Sequence, residues 1–238
     1  MTPQSDHAPV ALVTGASQGL GLALTRALVE RGWHVVVDAR DDVRLHDAVG
    51  ALDRVAALVG DVADPPHRAA LAAAVEREGR LDLLVNNAST LGTSPLPHLA
   101  DHPVDAMERV FAVNAVAPLA LLQHVLPALR STGGRVVNIS SDAAVEPYER
   151  WGGYGSAKAA LDHATAVLAV ENPDLRVYAV DPGDMRTAMH QAAFPGEDIS
   201  DRPVPEEVVP GLLRLIEGDL PSGRYKAADL AAPVGIGR

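Results

Sequence analysis

Cysteine is absent from the 238 residues. Disulfides, thiolate metal sites and cysteine nucleophiles are thereby excluded, and the compartment is left open with the cytoplasm as the expectation. Aromatic residues are only 3% of the chain, so a core has to be built from Ala, Val and Leu. Basic side chains number 20 against 31 acidic ones, a net charge of −11. A surface of that sign repels a polyanion, and nucleic acid is not an expected partner. No run approaches the roughly 20 apolar residues of a membrane span, so no membrane partner is expected. The opening MTPQSDHAP is polar, with neither a basic nor an apolar leader region, and predicts no secretory signal. Gly-x-Ser-x-Gly is missing, which leaves an acyl-transfer triad without support. Nor does any repeat, low-complexity tract or linker divide the chain.

What is present is alternation. Apolar runs at 10–14, 34–39, 54–60, 81–86, 134–140 and 175–181 predict short strands buried on both faces, with a weaker strand near 223–228. Helix-length segments lie between them, at 19–31, 65–78, 103–130 and 154–171. Strand–helix–strand repeated in this way predicts an α/β fold, a doubly wound parallel sheet in one domain over 1–238. The stretch 181–207 breaks the pattern with four prolines and several acidic residues. Its place after the sixth strand predicts a substrate lid over about 184–205, hinged near Pro182-Gly183 and Pro203/Pro205.

Between the first strand and first helix, Gly15, Gly19 and Gly21 are spaced Gly-x-x-x-Gly-x-Gly. Glycines there permit a tight turn and close backbone approach of a pyrophosphate to a helix N-terminus. No Gly-Lys-Ser/Thr follows, so a triphosphate P-loop is not predicted. At the end of the second strand the sequence reads Asp38-Ala39-Arg40. A carboxylate binds a free ribose 2′-hydroxyl, whereas an arginine clamps a 2′-phosphate, so the two residues point in opposite directions.

Tyr154 and Lys158 stand four apart, on one face of a helix and about 6 Å along it. An ammonium near a phenol lowers its pKa, by about 3 units on this reading, and a phenol so tuned can protonate a carbonyl oxygen. Ser141, at the end of the fifth strand, can hydrogen-bond the same oxygen. His98 and His102 have metal-ligand spacing, but Pro97 and Pro103 interrupt any helix and no partner cluster appears. They are read as surface or capping residues, and no metal is expected.

Thr14-Gly15-x-x-x-Gly19-x-Gly21, Asn86-Asn87-Ala88, Asn114, Ser141, Tyr154-x-x-x-Lys158 and Pro182-Gly183 occur in that order. With them the chain resembles the short-chain dehydrogenase/reductase family over essentially its whole length. The resemblance implies a Rossmann sheet of about seven strands, a nicotinamide dinucleotide and an Asn114–Ser141–Tyr154–Lys158 tetrad. Tyr154 would be the general acid/base, Lys158 its modulator and a ribose ligand, and Ser141 the group orienting the substrate oxygen. Asn114 would hold a water linking Lys158 to solvent. Cofactor contacts would come from Gly15, Ser17, Gln18, Gly19, Leu20 and Gly21 of the loop. Others would come from Arg40, Asp61, Val62, Asn87 and Ala88, and from Tyr154, Lys158, Pro182, Gly183 and Thr187.

Three positions depart from the family pattern. Ser89 stands where NNAG has glycine, a change expected to cost little. Gln18 replaces a basic loop residue of many NADP-dependent members, and Ala39 the acid of NAD-dependent ones. With Arg40, the balance favours NADP(H), with NAD(H) possible. NNASTLG, WGGYGSAKAALD and DPGDMRTAMHQ are similar to the sepiapterin reductase and benzil reductase branch, which reduces ketones flanked by a second carbonyl. Glu146, Tyr148, Trp151, Met189 and His190 are pocket candidates by position. The expected activity is reduction of a ketone or dicarbonyl, or oxidation of the matching alcohol, by a homo-oligomer paired through 103–130 and 154–171 as a dimer or tetramer. The alternatives are a silent dinucleotide-binding redox sensor and a 3-oxoacyl-thioester reductase of the same family.

Overall fold

Seven parallel strands order as β3-β2-β1-β4-β5-β6-β7 in a computed structural model that describes residues 8–231. The expectation of a leaderless N-terminus falls largely on residues outside those described. The strands are β1 (Val10–Val13), β2 (His34–Ala39), β3 (Val55–Val59), β4 (Leu83–Asn86), β5 (Arg135–Ile139), β6 (Arg176–Asp181) and β7 (Gly223–Lys226). Strand order reverses between β1 and β4, whose registers both run through Val13, opposite Val37 on one side and Val85 on the other. Such a reversal opens a crevice at the carboxyl ends of the strands.

The central strands read Val/Leu-rich because helices cover both faces. One core layer joins Val13, Val37 and Val85 to Leu24 and Leu28 of α1 (Gly19–Glu30) and Leu212 of α8 (Pro205–Glu217). The other joins Leu12, Leu84 and Val136 to Leu71 of α3 (Pro65–Glu78) and to Leu121, Leu122 and Val125 of α5 (Ala117–Thr132). Burial on both faces fails at the edges: β3 and β7 are only half-buried, since each has one neighbour strand. The weak seventh strand is four residues, and Ala227 already begins the short helix α9 (Ala227–Ala231). A further helix, α2 (Asp42–Val49), follows β2.

The segment expected as one helix at 103–130 is α4 (Val104–Phe111), a π-turn at Ala112–Val116 and α5. Pro118 explains the interruption. It has no N–H, so the ordinary α-helical bond to the Asn114 carbonyl cannot form. Ala117 instead donates to the Ala112 carbonyl, one residue further back. Contrary to the expectation of no span-length segment, Val104–Thr132 is long and apolar enough to cross a membrane, with mean hydropathy 1.6. Leu121, Leu122 and Leu129 are packed inside against the sheet, as in a core helix.

Candidate active site

The crevice is a cleft of ≈ 1480 Å³ at the carboxyl edge of the sheet. It is lined by Gly15, Ser17, Gln18, Gly19 and Leu20, by Arg40, Asp61, Val62, Asn87 and Ala88, and by Ser141, Tyr154, Lys158, Pro182, Gly183 and Thr187. Of the expected site residues, Gly21 and Asn114 stand just behind this lining. Each does so for a visible reason.

Gly21 backs the loop: a Cβ there would lie 2.4 Å from the Gly15 carbonyl oxygen. At Gly15, with φ +69°, a Cβ would meet the Ala88 Cα at 2.8 Å. The Asn87 amide ties this loop to β4, donating to the carbonyls of Thr14 at 2.9 Å and Gly15 at 3.1 Å. These contacts leave a bare backbone cradle at the start of α1, of the kind that receives a pyrophosphate.

Asp38 lines the cleft beside the cradle and braces it. Its Oδ1 accepts the Gly15 amide at 2.8 Å and its Oδ2 lies 3.0 Å from His67 Nε2. Burial pushes its carboxyl up, opposed by His67 and the Gly15 amide. Gly60 accommodates the His67 ring, since a Cβ there would stand 2.2 Å from Nδ1. Arg40 is exposed at the cleft, and a second cation, Arg44 of α2, donates to Gln18 Oε1 at 3.0 Å. Asp61 pairs with Arg109 of α4; burial raises its carboxyl, but the Ala63 amide and Arg109 hold it below the usual range.

At the other end of the cleft, Tyr154 and Lys158 lie on α6 (Gly152–Glu171), both buried. Gly155 lets this helix start close to the chain: a Cβ there would stand 2.5 Å from the Ala143 carbonyl oxygen. The expectation of a lowered phenol is overturned. Burial pushes Tyr154 up to about 12, against hydrogen bonds from Ser89 and Ser141. Burial also brings Lys158 down to about 8, and its Nζ donates to the Ile139 carbonyl at 2.6 Å. That nitrogen stands 5.7 Å from the phenol ring centroid.

Ser141 is held as well. Its Oγ donates to Asp142 Oδ1 at 3.0 Å and accepts the Ala143 amide at 3.1 Å, while Tyr148 donates to the other Asp142 oxygen at 3.0 Å. Asn114, in the π-turn, spends its amide on Thr90: Nδ2 donates to the Thr90 carbonyl and Oδ1 accepts its N–H, both at 2.9 Å. Ser140 Oγ, in the cleft wall, is a buried hydroxyl without a partner among the described residues.

The short helix α7 (Ala188–Ala193) packs Ala192 and Ala193 against the cluster that holds Tyr154. Phe194 packs on Trp151 at 6.0 Å, and Trp151 meets Tyr154 edge-on at 5.5 Å. Tyr148, Met189 and His190 line the cleft too; Glu146 does not. His102 departs from the surface reading: it is buried, with Gly153 so close that a Cβ would stand 2.5 Å from its Nε2. His98 is exposed, and no metal-holding cluster occurs among the described residues. Arg44, Arg109, Asp142 and Ser89 line the cleft without having been expected there, and His67 stands behind it on Asp38. For Ser89 alone there was a signal, the departure from NNAG.

A family model for short chain dehydrogenase matches residues 9–198. The chain is a short-chain dehydrogenase/reductase. As a member it is an oxidoreductase acting on CH–OH or C=O groups. It is 34% identical over 238 residues to a Saccharomyces cerevisiae benzil reductase ((S)-benzoin forming), covering 94% of this chain and 85% of that one. An alcohol dehydrogenase from Thermococcus sibiricus, solved with 5-hydroxy-NADP, superposes with a TM-score of 0.83 at 26% identity, over 92% of this chain and 96% of that one. An Escherichia coli chain assigned as a short chain dehydrogenase, solved with NADPH, gives 0.86 at 28% identity, over 94% and 99%.

Proposed function

We propose that this short-chain reductase converts a ketone bearing a second carbonyl, with an aryl group tolerated, to the secondary alcohol, using NADPH in preference to NADH. The observation that carries the reading is the buried Tyr154 phenol, edge-on to Trp151 in a cleft that Ser141 and Lys158 also line. Near-full-length similarity to a benzil reductase supports the substrate class.

The residues fit a nicotinamide dinucleotide. Gly15, Ser17, Gln18, Gly19, Leu20 and Gly21 would hold its pyrophosphate, Asp61 and Val62 its adenine, and Arg40 a 2′-phosphate. Asn87, Ala88, Lys158, Pro182, Gly183 and Thr187 would hold the nicotinamide end. When bound, that group supplies the hydride for the carbonyl carbon. Tyr154 gives its proton to the carbonyl oxygen, a role that needs a protonated phenol, and a pKa near 12 keeps it so at neutral pH. Ser141 turns its hydroxyl from Asp142 to the same oxygen. The ammonium of Lys158 then faces the phenolate left behind, which lessens the cost of forming it in a buried site.

Cofactor choice is supported by two cations, Arg40 and Arg44, at the β2 end of the cleft, and by Asp38 having no free oxygen there. Exposed Val104, Val116, Val167 and Val170 support self-association through α4, the π-turn and α6.

The test is NADPH consumption with benzil, an aryl alkyl diketone, a simple ketone and a 3-oxoacyl thioester. Turnover of the diketones is expected to lead. Preference for the thioester would move the chain to the acyl branch, and cofactor binding without any turnover would make it a silent sensor.

A further inference from the structure

We propose that Arg224, on the edge strand β7, is a positioning residue for Ser141, holding it by its main-chain carbonyl. The inference rests on Ser141 orienting the substrate oxygen.

Tyr225 packs on the core layer that contains α8, edge-on to Tyr178 at 5.9 Å. Side chains alternate along a strand, so Arg224 faces the opposite side of the sheet. There its Nε donates to Asp162 Oδ2 at 2.9 Å, and Asp162 stands on α6 one turn after Lys158. The same guanidinium sends Nη2 to the Ser141 carbonyl at 2.9 Å. Asp181 Oδ2 lies 3.9 Å from that nitrogen, beyond hydrogen-bond distance but close enough to favour the cation.

The contact matters because of where Ser141 lies. β5 ends at Ile139, and the strand's last groups are tied from two sides. Lys158 donates to the Ile139 carbonyl at 2.6 Å, and the Ser140 amide donates to the Val180 carbonyl at 2.7 Å. The Ser141 carbonyl also accepts the Ala144 amide at 3.1 Å, but that bond closes the turn at Asp142–Ala144 and travels with it. Among the described residues, the bond that ties the Ser141 main chain to another element is the one from Arg224. β7 is two strands from β5, about 10 Å across the sheet, a gap that needs a long side chain. Arginine adds separate donors to that length: one locks the side chain on Asp162 while another reaches the carbonyl. A carbonyl held in this way fixes where the Ser141 Oγ stands. The hydroxyl can then turn from Asp142 Oδ1, at 3.0 Å, to the substrate oxygen while the residue stays in place.

The test separates positioning from folding. Arg224→Met alone strands the Asp162 carboxylate, only 13% exposed, and a buried charge without its partner costs stability. Arg224→Met/Asp162→Asn removes both charges, and its reference is Asp162→Asn, whose amide oxygen still accepts from Arg224. The double variant is expected to reduce a diketone with kcat about tenfold below the reference, short of the roughly 10²-fold that a full ångström of misplacement can cost. NADPH affinity, by fluorescence titration, should stay at the reference value, since the tie is to Ser141 and not to the cofactor cradle. A second readout needs no turnover. The Ala143 amide donates to Ser141 Oγ and to Asp142 Oδ1, so its hydrogen exchange reports the turn. Exchange there is expected to quicken in the double variant while the Val180 amide, in the neighbouring strand, keeps its rate. Equal kcat in the two variants, or an unchanged Ala143 rate, would overturn the proposal. So would faster exchange at both amides, the sign of a general loosening. Should the parent reduce no ketone, the functional reading falls by itself, and the Ala143 exchange still decides whether Arg224 holds Ser141.

Discussion

The carboxylate of Asp38 spends both oxygens inside the protein, on the Gly15 amide and on His67. Because β2 runs on to Ala39, Asp38 cannot swing toward the ribose, and Arg40 is left as the first side chain past the strand that can meet the cofactor. A guanidinium fork matches a phosphate and has no counterpart on a plain hydroxyl. Arg40→Ala is therefore expected to lower kcat/KM for NADPH at least tenfold more than for NADH, about 1.4 kcal/mol of discrimination. Steady-state rates with both cofactors check it, and an equal loss in both would assign the choice to the loop backbone. Tyr154→Phe removes one oxygen from a site otherwise closed by packing. It should keep the fold and NADPH affinity while turnover falls by about 10²–10⁴, the contribution of general acid catalysis. Single-turnover rates and a fluorescence titration with NADPH separate those two effects, and near-parent turnover would remove Tyr154 from the chemistry.

Among the elements, α7 lies over the cluster that holds Tyr154. Gly183 has φ +73° with open space around it, a hinge conformation that other residues adopt with strain. The Arg186 amide closes the base of the excursion on the Pro203 carbonyl at 2.8 Å, and Ser94 Oγ holds α7 through the Ala192 carbonyl at 2.6 Å. If the excursion moves as a lid, protease cuts early within 184–205 in free enzyme and NADPH with a diketone protects it. Mass mapping of the first cuts decides, and equal rates in both states would count against a moving lid. This segment also shows what could be read from sequence. Its broken pattern was visible, and so were the central strands, because a parallel sheet covered on both faces writes itself as Val/Leu runs. The helix α2 was not, since only Leu45 and Val49 of its eight residues are buried. Helix α8 was hidden by Pro205 and Pro210, the first harmless in an opening turn and the second inside the helix. The glycine loop and the Tyr154/Lys158 pair were legible from spacing within single turns, whereas Asn114 entered only through the family resemblance. The sense of the Tyr154 shift was not, because helical spacing gives proximity to Lys158 but says nothing of how deeply both are buried.

For the whole molecule, the buried Lys158 links stability to pH. Its ammonium has burial against it and a single recorded acceptor, so its pKa falls from an ordinary 10.5 to about 8. Below that value both folded and unfolded chains carry the proton, and the folded state bears the full cost of a buried charge. Between about 8 and 10.5 the unfolded chain holds more protons than the folded one, so this group makes stability rise with pH. The interval corresponds to at most about 3 kcal/mol at 1.36 kcal/mol per unit. Tyr154 works in the other direction and only later: its raised pKa, about 12, removes stability as pH climbs past the ordinary 10.0. The window that isolates the lysine is thus about pH 8 to 10. Lys158→Met keeps the length of the side chain and deletes the charge, and a buried thioether needs no partner. Relative to that variant, the parent without cofactor is expected to gain stability by up to about 2 kcal/mol from about pH 8 to 10. Urea unfolding of both proteins across that window measures the difference directly. Parallel stability curves would mean that Lys158 keeps its proton throughout, held by the Ile139 carbonyl and Asp162 more firmly than burial opposes it.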